Sequence, residues 1–154
     1  ASCTDAGGRV SLTLSDPFCV DRHRDAFRKL IHDHVDLLFC NEAEALNYTD
    51  TDNVDDAVEQ LKKVAKRFAI TLGSKGALIF DGENQLVIAP HAITAVDSNG
   101  AGDMFAGAFL YGITHGFSDA EAGELASEAA SIIVSRFGAR MEAEEQQALI
   151  KKYC

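Results

Sequence analysis

The feature that most restricts this chain's fold is a series of short apolar runs, none longer than a strand requires, set apart by segments of helical length. Val10, Leu12 and Leu14 alternate with Arg9, Ser11 and Thr13, whereas residues 35–40 and 68–72 are mostly apolar. Residues 77–80 and 86–89 flank Asp81-Gly82-Glu83-Asn84. Alternation of period two marks a strand, a continuous apolar run suits a strand buried in a parallel sheet, and two runs around a Gly-containing tetrapeptide suit a hairpin. Candidate helices lie at 21–31, 42–46, 54–67, 103–115, 118–136 and 142–152. The stretch 54–67 is the clearest, with Val54, Ala57, Val58, Leu61, Val64 and Ala65 three and four apart and Asp52 or Asn53 available as a cap. Ser118-Asp119-Ala120-Glu121 has the form of a capping box, and Gly138 that of a stop. Strands alternating with helices predict an α/β fold, a parallel sheet with helices on both faces and a small β-hairpin. Four or five strands are visible, the first at an open edge.

The bulk properties narrow the function classes. A length of 154 residues suits one domain, and 47% hydrophobic with 25% charged residues suits a globular protein rather than a disordered one. No apolar run approaches the ~20 residues of a membrane helix, and no N-terminal signal is visible, so a cytoplasmic protein without a membrane partner is expected. A formal net charge of -10 argues against nucleic acid, which is bound through clustered Lys and Arg. An anionic ligand must then be held by backbone dipoles, a metal ion or a few local cations. Cys3, Cys19, Cys40 and Cys154 are scattered without a Cys-x-x-Cys pair, which favours reduced thiols. His32-Asp33-His34 lacks the further ligands of a metal site and reads as a solvated helix end. With Ala1 first and Met104 and Met141 its only methionines, the sequence reads as a processed chain or a piece of a longer one.

The chemistry concentrates at residues 97–103, Asp-Ser-Asn-Gly-Ala-Gly-Asp, which run straight into the helical apolar spacing of Met104, Phe105, Phe109, Leu110 and Ile113. A Gly-rich turn opening a helix presents unpaired N–H groups and the positive end of the helix dipole, a candidate phosphate cradle. Small side chains let the backbone approach the ligand, and Asp103 stands at the edge as a candidate base. The same residues also suit an ordinary turn and a dipole-complementing acid. Gly107 and Gly112 inside the helix each cost roughly 1 kcal/mol relative to Ala, for which close packing would be the reason.

The stretch 97–103 resembles the Asp-Thr-x-Gly-Ala-Gly-Asp signature of the ribokinase, or PfkB-type, family of sugar and nucleoside kinases, with Ser98 in place of Thr. The resemblance implies a three-layer ribokinase-like fold, Asp103 as the base that takes a proton from the substrate hydroxyl, and Gly100, Ala101 and Gly102 as an anion hole. Asn41-Glu42-Ala43-Glu44 is similar to the family's Asn-x-x-Glu element, which implies that Asn41 contacts nucleotide phosphates and Glu44 helps organise hydrated Mg²⁺. Thr71-Leu72-Gly73-Ser74-Lys75-Gly76 is similar to the Thr-Leu-Gly-x-x-Gly segment that lines the ATP site, where Lys75 would offer a cation to a phosphate. Residues 127–138 resemble the helix that closes over adenine, placing Ser127 near the base, with Asp97 and Asn99 holding a K⁺-like ion. Each element has a plainer reading as a helix cap, a connecting loop or amphipathic packing. Family members are about twice as long, and their N-terminal half, with most substrate contacts and a lid, has no counterpart here. The expected function is the ATP-binding, catalytic half of a sugar or nucleoside kinase, completed by the missing half or by self-association. The alternative is a non-catalytic nucleotide-binding or structural α/β module that needs a partner.

Overall fold

A computed structural model describes residues 5–153. Cys3 and Cys154, and the first half of the loop expected at residues 1–8, lie outside the described residues. The element order is β1 (Ser11–Thr13), α1 (Pro17–His34), β2 (Leu37–Asn41), α2 (Glu42–Thr49), α3 (Val54–Leu61), β3 (Phe68–Thr71), a 3₁₀ turn (Gly73–Lys75), β4 (Ala77–Phe80), β5 (Gln85–Ile88), α4 (Ala101–Thr114), α5 (Asp119–Val134) and α6 (Ala143–Tyr153). The strands are ordered β1-β2-β3-β4-β5, with β1–β2 and β2–β3 parallel. The α/β class and the parallel strands are as the sequence predicts, and the hairpin makes the sheet mixed. Among the described residues, no helix is long and apolar enough to cross a membrane.

The chain divides into two compact units, one holding the residues up to Leu72 together with Leu78–Gln85, the other holding Gly73–Ala77 and the residues from Leu86 onward. In the first unit, β1, β2 and β3 run side by side, and Leu14, Ile31, Leu38, Leu61, Phe68 and Ile70 are fully buried. Helix α1 begins four residues before the expected start. Asp16 is its N-cap, with Oδ1 accepting from Phe18 N at 2.6 Å, and Pro17 takes the first turn, where a missing N–H does no harm. Asp16-Pro17, just past the end of β1, therefore starts α1. Helix α3 ends at Leu61 rather than Arg67, where the bonds shorten to three residues: Lys63 N donates to Gln60 O (3.2 Å) and Val64 N to Leu61 O (3.0 Å), tightening the chain out of α-geometry. Val64 and Ala65 still pack into the core, so the apolar spacing outlasts the helix. Cys40 is buried and Cys19 exposed, both as free thiols.

In the second unit, α4 packs on α5, and Leu125, Ala129, Ile133, Met141 and Leu149 form a core shared by α5, α6 and the chain between them. Ser118 caps α5 in the expected box, its N–H donating to Glu121 Oε2 at 2.8 Å. The two helical glycines differ. A Cβ at Gly112 would stand 2.8 Å from Ala122 Cβ, so this glycine permits close helix contact, whereas a Cβ at Gly107 would meet nothing within 4 Å. Close packing therefore accounts for Gly112 but not for Gly107. Gly107→Ala is expected to raise stability by about 1 kcal/mol through helix propensity. Gly112→Ala is expected to lower it, since overpacking costs roughly 1–3 kcal/mol against the same gain. Parallel urea titrations of the two variants check the opposite signs.

Candidate active site

The first unit holds a polar sheet end of its own. Asn41 and Thr71 are register partners on β2 and β3, closing the same end of two parallel strands. Asn41 is also the N-cap of α2. Its Oδ1 accepts from Glu44 N (2.8 Å), and Glu44 takes Asn41 N–H on Oε2 (3.0 Å) and Asn41 Nδ2 on Oε1 (2.8 Å). The pair thus closes as a capping box, with Glu44 only 6% exposed. Burial raises the Glu44 carboxyl above the usual carboxylate range, the Asn41 N–H works against that rise, and Asp16 adds to it.

The raised carboxyl gives the pH dependence of stability a definite sign. A folded-state pKa above the unfolded one makes this group's contribution complete below the unfolded value and lost as pH rises through the folded value. Glu44→Gln keeps a side chain able to close the box and removes the ionisation. The variant is therefore expected to be no less stable than the parent at pH 7, with a flatter stability profile just above the ordinary Glu range, read by thermal melts across a pH series.

The second unit, taken by itself, holds the turn and the signature. Gly73 and Gly76 both have positive φ (59° and 93°), and a Cβ at Gly76 would stand 2.1 Å from Ile88 O and 2.9 Å from Pro90 N. Ser74 and Lys75 between them are exposed. Ser127 is buried on α5 and donates its hydroxyl to Ala89 O at 3.3 Å. The turn at 73–76, the chain at 88–90 and Ser127 are therefore brought together.

Gly100 caps α4 with φ 78° and no side-chain hydrogen bond. Ala101 N–H turns back to Ser98 O (3.3 Å), and the first helical bond runs from Met104 N to Gly100 O (2.9 Å). Among the described residues, nothing accepts from the N–H of Gly102 or Asp103. Two amides thus stand open at the positive end of a fourteen-residue helix. Asp103 is exposed in the first turn, and a Cβ at Gly102 would meet nothing within 4 Å, so the backbone is approachable. Beside Asp103 lies a cavity of about 390 Å³ among α4, α5 and α6, bordered by Met104, Tyr111, Ala129, Met141 and Leu149.

The signature is braced from behind. Val134 O accepts from Val96 N (2.8 Å) and Asp97 N (3.2 Å), and a Cβ at Gly100 would stand 2.5 Å from Ala139 Cβ. Asp97 Oδ1 accepts from Asn99 N at 3.0 Å, fixing the turn from within. Ser127 and Val134 are seven residues apart, so α5 touches the turn at 88–90 and the signature two helical turns, ~10 Å, apart. The ties to Val134 and Ala139 are invisible in the sequence; the only signal is a glycine where the chain leaves no room for a side chain. His32 and His34 lie in the last turn of α1, exposed, with Asp33 Oδ1 2.9 Å from His32 Nδ1. The described residues contain no cluster of three or more His, Cys, Asp or Glu side chains that could hold a metal ion.

The family model of pfkB family carbohydrate kinases matches residues 1–146. The chain belongs to that family. Its curated relatives include a cytidine kinase of Thermococcus kodakarensis, 38% identical over 86% of this chain and 49% of the relative. They also include a ribokinase of Schizosaccharomyces pombe, 40% identical over 71% of this chain and 39% of the relative. Among solved structures, an adenosine kinase from Sinorhizobium meliloti superposes with a TM-score of 0.91 at 34% identity, covering 97% of this chain and 46% of that one. This pfkB family chain spans about half or less of the length of these relatives.

Proposed function

We propose that this chain is the ATP-binding, catalytic part of a kinase that phosphorylates a hydroxyl of a sugar or nucleoside. The observation that carries the proposal is the start of α4: a left-handed Gly100, two unpartnered amides and an exposed Asp103 within four residues. Asp103 takes the proton of the acceptor hydroxyl as its oxygen attacks the γ-phosphorus of ATP. The bond from that phosphorus to the β–γ bridging oxygen breaks, and ADP carries away the electron pair. The open amides and the helix dipole oppose the charge on the transferring group, so positioning and electrostatics supply most of the rate. The turn at 73–76, with Ser127, would receive the nucleotide; Thr71, at the sheet end of the first unit, is a further nucleotide-binding residue on the same reading.

Two ions complete the reading. Glu44 fits an indirect role toward Mg²⁺: its oxygens each hold one donor within the capping box, and a carboxylate oxygen has a second lone pair for a metal-bound water. Bound there, Mg²⁺ would supply the positive charge that a chain of net charge -10 lacks. Asp97, half-buried at the start of the signature, and Asn99 are the residues that would hold a K⁺-like ion. The acceptor, the compartment and any partner that completes the chain are proposals on the same footing: a small sugar or nucleoside, the cytoplasm, and an N-terminal half or a second copy.

Calorimetric titration of the 154-residue chain with ATP·Mg²⁺, followed by an ADP-release screen over sugars and nucleosides, tests the reading. Binding with turnover supports it. Binding without turnover, in this chain and in one extended to the length of its relatives, favours a nucleotide-binding module. Absence of binding in both favours a structural domain.

A further inference from the structure

The segment between Ile133 and Met141 reaches the back of Gly100 without a core of its own. Ile133 and Met141 are buried, but Phe137, Gly138, Ala139 and Arg140 are all exposed, Phe137 at 84%. Apolar burial therefore does not hold Ala139 where it stands. A set of polar contacts does. Arg136 Nη1 donates to Glu145 Oε1 (2.8 Å) and Nη2 to Glu145 Oε2 (2.7 Å), a forked pair that ties the end of α5 to the first turn of α6. Arg136 Nη2 also reaches Arg140 O (3.4 Å), closing the loop that contains Ala139. Glu145 Oε2 accepts in addition from Glu142 N (3.0 Å), so one carboxylate both starts α6 and anchors the guanidinium.

We infer that the Arg136–Glu145 pair is a clasp that positions the phosphate cradle, by holding Ala139 against Gly100 so that the opening of α4 keeps its shape. The inference rests on the reading of residues 100–103 as a phosphate site. Arg136 and Glu145 touch neither nucleotide nor acceptor in this scheme; they act through Ala139. Both side chains are about one-third exposed or more, and a pair so open to water adds little to global stability. Its loss should therefore be local: a loosened loop, a frayed Gly100 O–Met104 N bond, and poorer phosphate binding with the fold intact.

The test compares the parent chain with Arg136→Met, Arg136→Lys, Glu145→Gln and Gly100→Ala, reading ATP·Mg²⁺ affinity by calorimetry, amide exchange at Met104 and Asp97, and circular dichroism. Arg136→Met and Glu145→Gln should weaken affinity roughly tenfold, the loss expected when one charge-assisted bond to a phosphate is misplaced. They should also speed exchange at Met104 while the dichroism is unchanged. Arg136→Lys, which keeps the charge but not the fork, should fall between them and the parent. Parental affinity and parental Met104 exchange in Arg136→Met and Glu145→Gln would overturn the clasp, even with the cradle confirmed by lost binding in Gly100→Ala. If Gly100→Ala binds as tightly as the parent, the cradle reading fails, and exchange at Met104 alone decides whether the pair braces the turn. Should Arg136→Met not fold, Glu145→Gln decides by the same two readings.

Discussion

Asp103→Asn is expected to lower turnover by about 10²–10⁴-fold, the range attributable to general base catalysis, while ATP·Mg²⁺ affinity stays close to that of the parent. The substitution keeps size and hydrogen-bonding shape but removes the carboxylate proposed to accept the proton. Its position makes the separation clean: Asp103 is exposed, receives no side-chain hydrogen bond among the described residues, and is not the N-cap of α4, which is Gly100. The fold should not notice the change beyond the loss of an acid from the first turn, about 0.3–1 kcal/mol. The measurement is kcat and nucleotide affinity in whichever chain length supports turnover. A variant that turns over at the parental rate removes Asp103 from the chemistry. One that loses both turnover and nucleotide binding makes it a binding residue.

The largest stability effect is expected at Gly76. Alanine there faces two penalties. Its φ of 93° lies where L side chains rarely go, which costs of order 1–3 kcal/mol. Its Cβ would also enter the space of Ile88 O, 2.1 Å away, and Pro90 N, 2.9 Å away. Neither neighbour is a flexible side-chain tip, so the backbone must move, at roughly a further 1–3 kcal/mol. A fall of about 2–6 kcal/mol corresponds to a midpoint lowered by roughly 5–20 °C for a chain of this size. Gly73→Ala provides the contrast. It has the same sign of φ, 59°, but a Cβ there would meet nothing within 4 Å, so only the backbone penalty applies. A thermal melt in which the two variants fall equally would show that crowding at Ile88 is relieved without cost.

Much of this arrangement was legible in the residues because it is local. Asn41 with Glu44 and Ser118 with Glu121 each form a box between residues three apart; the second closes as its sequence suggests, and at the first the plain cap proves to be a box as well. The apolar runs at 35–40 and 68–72 became the central parallel strands for the same reason: a continuous apolar run leaves no polar face to turn toward water. What escaped is where local signals compete or where contacts are distant. Apolar spacing carried α3 on to residue 67, yet that spacing is satisfied equally by the tight turn after Leu61. The role of Asp16-Pro17 as cap and first turn of α1 depends on the residues C-terminal to it adopting helical geometry, which the apolar stripe at 21–31 does not reach back to show. The bracing of the signature by Val134 and Ala139, and the fork from Arg136 to Glu145, join residues that no periodicity relates. Only the bare glycine at position 100 hinted that something stood behind it. The signature itself was legible as a family resemblance, and the family match bears that out.

The unequal surroundings of the two described thiols offer a way to watch one part of the molecule at a time. Cys19 is exposed, whereas Cys40 sits on β2 beneath the packed first unit, and burial pushes its thiol far up, away from the nucleophilic thiolate. An alkylating reagent therefore meets Cys40 only when β2 opens. Mass analysis of that peptide would time the opening of the first unit alone, with Cys19 in the same sample as an internal clock for reagent strength.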